Sequence, residues 1–126
     1  MIAEKIRQIK DLRQRKNMAI SAEYESTRPE KSDLSEITSL FDRFNEVKNP
    51  ECKDNTKIFV MLMFFLYSPQ SFINNQSSRS GIRKSIAKVL GVSKSSVTKH
   101  FNDAKSLILN HRGFREEAER LYRLIV

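Results

Sequence analysis

The sequence predicts an all-α protein, a small helical bundle, on three observations. Only three glycines and three prolines occur among 126 residues, fewer turn residues than a sheet protein of this length needs. No run of alternating β-branched residues indicates a strand. Apolar residues recur instead every three or four positions, which is the spacing of one helix face. The length fits one domain, or one domain with an additional arm.

The first predicted helix covers residues 3–24, within a segment 1–24 that we assign as a basic amphipathic helix. Its narrow apolar stripe contains Ile2, Ile6, Ile9 and Leu12. The cations around this stripe are Lys5, Arg7, Lys10, Arg13, Arg15 and Lys16. We interpret the segment as an arm or an oligomerisation element. Such a helix can lie on the domain, pair with its copy in a dimer, or contact phosphate.

A helical domain over residues 33–126 is predicted to follow a polar linker that contains Pro29. Ser32 or Asp33 is expected to cap the second helix, because such side chains accept hydrogen bonds from amides of a first turn. The apolar face of this helix contains Leu34, Ile37, Leu40, Phe41, Phe44 and Val47. We therefore expect it to pack as part of the scaffold.

The third predicted helix, residues 55–67, is apolar on nearly every side, which indicates the centre of the core. Its apolar run covers only residues 58–67. A membrane-spanning helix needs about twenty such residues. We therefore expect a buried helix and no membrane partner, and Pro69 ends it.

Residues 83–104, RKSIAKVLGVSKSSVTKHFNDA, are predicted to form a helix, a turn and a second helix. The first helix ends at Leu90, and Gly91 adopts the left-handed conformation that glycine tolerates best. Val92 is expected to insert into the core, and Ser93 to cap a helix over residues 94–110. The shared core of the motif is Ile86, Ala87, Leu90, Gly91, Val92, Val97 and Phe101. Among these, Ala87 has to be small because the two helices cross beside it.

Positive charge is concentrated around this motif. The chain has a net charge of +8. Residues 79–105 contain seven lysines and arginines against one acid, Asp103, whereas residues 21–78 contain six against nine. Basic blocks of this kind attract polyanions, and nucleic acid is the commonest polyanion inside cells. The charge pattern therefore favours nucleic acid as the partner.

The stretch IAKVLGVSKSSV resembles the helix-turn-helix of bacterial and phage DNA-binding regulators. Four positions separate Ala87 from Gly91, and six separate Gly91 from Val97, as in that superfamily. His100 stands where many repressors have an aliphatic residue, and Phe101 is the apolar residue instead. This variation is similar to region four of sigma factors and to LuxR-type regulators. The resemblance covers the motif, residues 83–104, and not the rest of the chain.

The resemblance implies sequence-specific binding of double-stranded DNA, with the second helix in the major groove. The residues expected at base edges are Ser93, Lys94, Ser95, Thr98, Lys99 and Asn102. The residues expected at phosphates are Arg79, Arg83, Lys84, Lys88, Ser96 and Lys105. Regulation of transcription by a homo-oligomer, most simply a dimer, is the expected role, since one motif reads about half a site.

Two other functions are compatible with the same residues. A phage or plasmid DNA-packaging or replication protein, such as a small terminase subunit, resembles this layout and assembles as a ring. A protein–protein adaptor would use the two helices as a structural unit. Light scattering separates the ring from the dimer. The adaptor predicts that loss of Lys94 and Lys99 leaves function intact.

The sequence indicates no enzyme. It contains no glycine-rich phosphate loop, no histidines and cysteines at zinc spacing, and no pattern that suggests a cofactor, a metal or a small-molecule ligand. A single cysteine, Cys52, and a charged N-terminal stretch favour a cytoplasmic location. His100 is expected to be a half-buried helix residue. His111 is expected as a cation at a helix end near Gly113, before a final helix.

Overall fold

The computed structural model describes residues 2–14, 29–72 and 78–126. These residues form helices and no strand, so the predicted all-α class is confirmed. The α-helices are α1 (Ile2–Gln14), α2 (Ile37–Val47), α3 (Asn55–Tyr67), α4 (Ile82–Leu90), α5 (Lys94–Asn110) and α6 (Arg112–Ile125). Two short 3₁₀ helices, Leu34–Glu36 and Pro69–Phe72, precede α2 and follow α3.

Helix α3 is the centre of the bundle, as its composition predicts. Every residue from Ile58 to Tyr67 is buried. The helix packs most extensively against α5 and also contacts α2, α4 and α6. A helix that is apolar on all sides can lie only where other helices cover each of its faces. The remaining helices therefore take their positions from α3.

Aromatic rings fix α5 against this central helix. The ring of Phe101 on α5 stacks on Phe64 of α3, with centroids 4.0 Å apart and planes inclined by 14°. The edge of Phe72 approaches the same ring at 5.1 Å. Such aromatic pairs stabilise beyond the area they bury, by about 1 kcal/mol each. Phe101 therefore determines where the exposed face of α5 points.

The first turn of α1 packs on the domain. Ile2, Ala3 and Ile6 are buried in the common core, and the backbone N–H of Ile2 donates to a carboxylate oxygen of Glu119 on α6. This placement matches the interpretation of an amphipathic helix that lies on the domain. The predicted continuation of this helix to residue 24 lies outside the described residues. The part of the predicted linker that precedes Pro29 lies outside them as well. The separate assignments of 1–24 and 33–126 remain predictions.

The second predicted helix starts with a 3₁₀ turn. Asp33 supplies the cap, and its carboxylate accepts hydrogen bonds from the backbone N–H and the hydroxyl of Ser35 at 3.0 and 2.7 Å. These hydrogen bonds hold the pKa of Asp33 below its ordinary value, because they stabilise the carboxylate. The predicted apolar face points inward. Its most deeply buried members are Ile37, Leu40 and Phe44.

We expect Tyr67→Phe to stabilise the protein by about 1 kcal/mol at neutral pH, because a buried polar group without a partner costs about that much. The Tyr67 hydroxyl is buried and has no hydrogen-bond partner among the described residues. Burial raises the pKa of Tyr67 to about 12. Ionisation of Tyr67 therefore costs the wild type no stability below pH about 10. As the pH rises from about 10 towards 12 the wild type loses stability, and the advantage of Tyr67→Phe grows.

Urea unfolding followed by circular dichroism, at neutral pH and in the alkaline range, measures this difference. The matched control is Tyr122→Phe, since the Tyr122 hydroxyl donates to Glu30 Oε2 at 2.7 Å. We expect the control to lose stability at neutral pH. A loss of stability in Tyr67→Phe as large as that of the control would contradict the assignment of an unsatisfied hydroxyl.

Candidate nucleic-acid interface

Helix α4 ends in the left-handed glycine that the sequence predicts. Gly91 has φ of +69°. Its N–H and the N–H of Val92 both donate to the carbonyl oxygen of Ala87. A Cβ at Gly91 would meet no atom within 4 Å. Glycine is therefore favoured at this position by its backbone conformation and not by lack of space.

Val92 does not insert into the core, and the prediction for this residue was wrong. Its side chain is 37% exposed. The contact between α4 and α5 is filled by Ile86, Val97 and Phe101, each at most 2% exposed. Leu90, half-buried, packs against the same cluster. Val92 lies at the surface, in the turn immediately before α5.

The first turn of α5 is capped as predicted. Ser93 has extended backbone, and its hydroxyl oxygen accepts the N–H of Ser96 at 3.1 Å. No acidic residue occupies this turn, and Lys94 is its first residue. The cap uses the Ser96 amide, so that amide is engaged within the helix. Of the two donors of Ser96, only the hydroxyl is therefore available for the expected contact with phosphate.

Helix α5 has one buried and one exposed face. Val97, Phe101, Ala104 and Ile108 are buried. The base-reading candidates on the exposed side are Ser93, Lys94, Ser95, Lys99 and Asn102. The hydrophobic face therefore anchors the helix to the bundle, and the polar face is presented to solvent along its first three turns.

Thr98 is the base-reading candidate that is not fully exposed. It is half-buried. Its hydroxyl accepts a hydrogen bond from Arg83 Nε at 3.0 Å and donates to the carbonyl oxygen of Lys94 at 3.2 Å. The guanidinium of Arg83 also lies 5.5 Å from the ring centroid of Phe64. Thr98 and Arg83 therefore join α4, α5 and α3, a contact that the sequence alone did not indicate.

The phosphate candidates differ in their surroundings. Lys84 and Lys88 are exposed on α4, and Arg79 is half-buried just before that helix. Lys105 is half-buried, and its ammonium lies 5.0 Å from the ring centroid of Phe101. The structure therefore brings the α4 cations together, whereas Lys105 lies farther along α5 over a core ring.

Asp103, the single acid of the basic block, is paired. Its carboxylate lies 3.8 Å from the ammonium of Lys57 on α3, which also lies 3.8 Å from Asp54. The local pattern around the motif did not indicate Lys57, because the two residues are far apart in sequence. Because Lys57 is shared between two carboxylates, it offsets the charge of Asp103 only in part. The block stays positive because it contains seven lysines and arginines against this one acid.

The starts of α4 and α5 share a surface cavity of about 410 Å³. It is lined by Ser78, Arg79, Ser80, Gly81, Arg83, Lys84 and Lys94. Four cations thus line one concave surface, and no carboxylate is among the lining residues. Three of these cations were expected at phosphates and one, Lys94, at base edges. The fold brings them to one place.

The two histidines have different environments. His100 is half-buried as expected, and its Nδ1 has no hydrogen-bond partner among the described residues. His111 lies at the C-terminal end of a helix as expected, although α5 ends at Asn110 and not at Gly113. His111 Nδ1 also accepts the N–H of Phe114 at 3.0 Å, so the same residue caps the start of α6.

None of the described helices is both long and apolar enough to cross a membrane. In the same part of the chain, no group of three or more histidine, cysteine, aspartate or glutamate side chains is placed to hold a metal ion. No protein-family model matches the sequence, and neither a curated protein nor a solved structure matches it. The geometry and charge of α4 and α5 are therefore the features that bear on function.

Proposed function

We propose that this protein binds double-stranded DNA sequence-specifically through α4, the turn at residues 91–93 and α5, and that it regulates transcription. The observation that carries the proposal is the exposed polar face at the start of α5. Lys94, Lys99 and Asn102 point to solvent there, while the opposite face is buried against α3. A helix presented in this way fits the major groove, which is about 12 Å wide.

The side chains on this face match the chemistry of base edges. Lysine donates to the N7 and O6 acceptors of guanine, and asparagine can form two hydrogen bonds with adenine. We assign Lys94 and Lys99 to guanine edges or phosphates, and Asn102 to adenine. The hydroxyls of Ser93 and Ser95 lie at the start of the helix, where contacts to the DNA backbone set orientation.

The electrostatics of the surrounding surface support the same proposal. Arg79, Lys84 and Lys88 lie beside the start of α5 or on the preceding helix. The single acid of the block, Asp103, is partly offset by Lys57. Phosphate contacts supply most of the affinity of such interfaces and make binding depend on salt. The cations of α4 would therefore hold the duplex while α5 reads it.

Two copies of the motif would read one complete site. A single motif contacts about half of an operator, and paired motifs double the contacts. The exposed apolar side chains of Leu124 and Val126 in and after the last turn of α6, 52% and 51% exposed, support pairing through that helix. We therefore propose a homodimer as the binding species.

A fluorescence-anisotropy titration with random duplex DNA at several salt concentrations tests the proposal. We expect micromolar binding, as for non-specific complexes, with a slope of log K against log salt near about −5 if six phosphates are contacted. Selection from a random duplex pool should then enrich one sequence. Absence of binding at low salt would contradict the proposal and would favour the protein–protein adaptor.

A further inference from the structure

The cavity shared by the starts of α4 and α5 combines features of a preformed anion site. We call it the 78–94 pocket, after the first and the last of its lining residues, Ser78 and Lys94. Its volume of about 410 Å³ lies within the range of small-ligand sites. Arg79, Arg83, Lys84 and Lys94 all line it, and none of the four forms an ion pair with a carboxylate in the described part of the chain.

A chain of buried serine hydroxyls holds one wall of this pocket. The N–H of Arg79 donates to Ser68 Oγ at 2.9 Å, and Ser68 and Ser71 share a hydrogen bond of 2.8 Å. Ser71 then donates to Ser78 Oγ at 2.8 Å. Ser68 is fully buried, and Ser71 is 5% exposed. Residues 78 and 79 are thereby tied to the segment that follows α3.

The direction of these hydrogen bonds gives the pocket a donor. Each hydroxyl has one hydrogen to donate. Since Ser71 uses its hydrogen on Ser78, Ser68 must be the donor in the bond that it shares with Ser71. Ser78 ends the chain as an acceptor, so among the described residues its own hydrogen is left for an acceptor. Ser78 lines the pocket, so its hydroxyl can donate to an anion bound there.

The backbone at the start of α4 also favours an anion in the pocket. Gly81 precedes α4 with φ of +85°, and no side chain caps the first turn of this helix. The N-terminal end of a helix carries partial positive charge and normally attracts acidic residues. Helix α4 has no acid in its first turn and places Arg83 and Lys84 there instead. Cations at this end are unfavourable unless an anion is bound between them.

Asp33 is a counter-charge that interacts weakly with Arg79, and its carboxylate is hydrogen-bonded to Ser35. Its carboxylate accepts both hydrogen bonds from Ser35, which are the main cause of its lowered pKa, and Arg79 contributes less to that lowering. Tyr67, whose pKa also responds weakly to Arg79, is neutral at physiological pH. The positive charge of the pocket is therefore largely uncompensated within the described residues.

We propose that the 78–94 pocket binds one phosphate group. Lys84, Lys94 and the terminal amino groups of Arg83 supply charge-assisted donors, and the Ser78 hydroxyl supplies a neutral one. The phosphate can come from the DNA backbone or from a small phosphorylated molecule, because both present the same oxygens. The backbone source rests on the proposed function, whereas the small-molecule source is independent of DNA binding.

An NMR titration of the ¹⁵N-labelled full chain with sodium phosphate, against sodium chloride at equal ionic strength, tests this site. We expect saturable shifts of the amides of residues 79–84 with phosphate only. Lys84→Gln/Lys94→Gln should weaken phosphate binding by at least about tenfold, because two charge-assisted contacts are lost. Ser78→Ala should weaken it by about threefold.

The matched control is Lys88→Gln/Lys99→Gln, which removes one exposed lysine from each of the same two helices outside the pocket. It should retain phosphate affinity within about twofold while weakening DNA binding. Equal effects of the two double variants on phosphate, or shifts that never saturate, would overturn the proposed site. All four lysines are exposed, so both double variants should fold.

A competition experiment between phosphate and duplex DNA distinguishes the two sources of the phosphate group. It also distinguishes failure of the proposed pocket from failure of the proposed DNA binding. If phosphate displaces duplex DNA from the wild type more strongly than chloride does at equal ionic strength, the pocket binds a backbone phosphate. Saturable phosphate binding that leaves DNA affinity unchanged assigns it to a small phosphorylated ligand. Saturable binding of phosphate without any binding of DNA retains the pocket and rejects the DNA-binding function. Binding of DNA without phosphate binding rejects the pocket alone.

Discussion

We expect Phe101→Ala to lower the free energy of unfolding by about 3 to 5 kcal/mol, the usual cost of removing a buried phenyl ring. Phe101 is 2% exposed, stacks on Phe64 and receives the edge of Phe72. The variant leaves a cavity between α5 and α3. A domain is commonly stable by about 5 to 15 kcal/mol, so this single change removes a large part of the total. Urea unfolding followed by circular dichroism measures the loss.

The matched control is Phe41→Ala, the same chemical change at a half-buried position of α2. Among the described residues, the ring of Phe41 pairs with one other aromatic ring, that of Phe59, at a centroid distance of 5.0 Å. We expect a distinctly smaller loss for this variant, because more of its ring already contacts water. If Phe101→Ala costs no more than Phe41→Ala, Phe101 does not anchor α5 in the way described.

The second large effect is expected for Lys94→Ala/Lys99→Ala. Both lysines are exposed on the polar face of α5. We expect DNA affinity at low salt to fall by about 30- to 150-fold, because two lost contacts of about 1 to 1.5 kcal/mol each total about 2 to 3 kcal/mol. If both contact phosphates, the salt slope should become less steep by about 2. Fluorescence anisotropy with duplex DNA measures both quantities.

Lys53→Ala/Arg112→Ala controls for the change in net charge. Both residues are exposed and lie outside residues 79–105. This variant should change DNA affinity only slightly, since its charges are not on the proposed contact surface and salt screens them. Similar affinity losses in the two double variants would indicate diffuse attraction and no defined contact helix. Unchanged binding by Lys94→Ala/Lys99→Ala would favour the adaptor.

The helices and their limits in the C-terminal half could be predicted well, because their signals are local. The apolar spacing of α3, the glycine at residue 91 and the cap at Ser93 all act within a few residues. The prediction failed at Val92 because the exposure of that side chain depends on how α4 and α5 pack together. The cap that His111 forms on α6 was not predicted, because it depends on where two helices meet.

The candidate interface could be predicted in part. The exposed positions of Lys94, Ser95, Lys99 and Asn102 agree with the helical spacing from Val97 and Phe101, since one face of α5 had to be buried. The engagement of Thr98 with Arg83 and the pairing of Lys57 with Asp103 could not be predicted. These contacts join separate helices, and a sequence pattern does not specify which residues of separate helices meet.

By itself, the sequence determined the all-α class, the central helix, the turn at Gly91 and the concentration of positive charge in residues 79–105. These properties follow from composition and from short-range backbone preferences. Only the tertiary structure decided that Arg79, Arg83, Lys84 and Lys94 line one pocket. The tertiary structure also decided the hydrogen bonds among the serine hydroxyls beside this pocket and the cap that His111 forms on α6. Each of these features depends on the packing of segments around α3, because burial and hydrogen-bond geometry arise only when the helices come together.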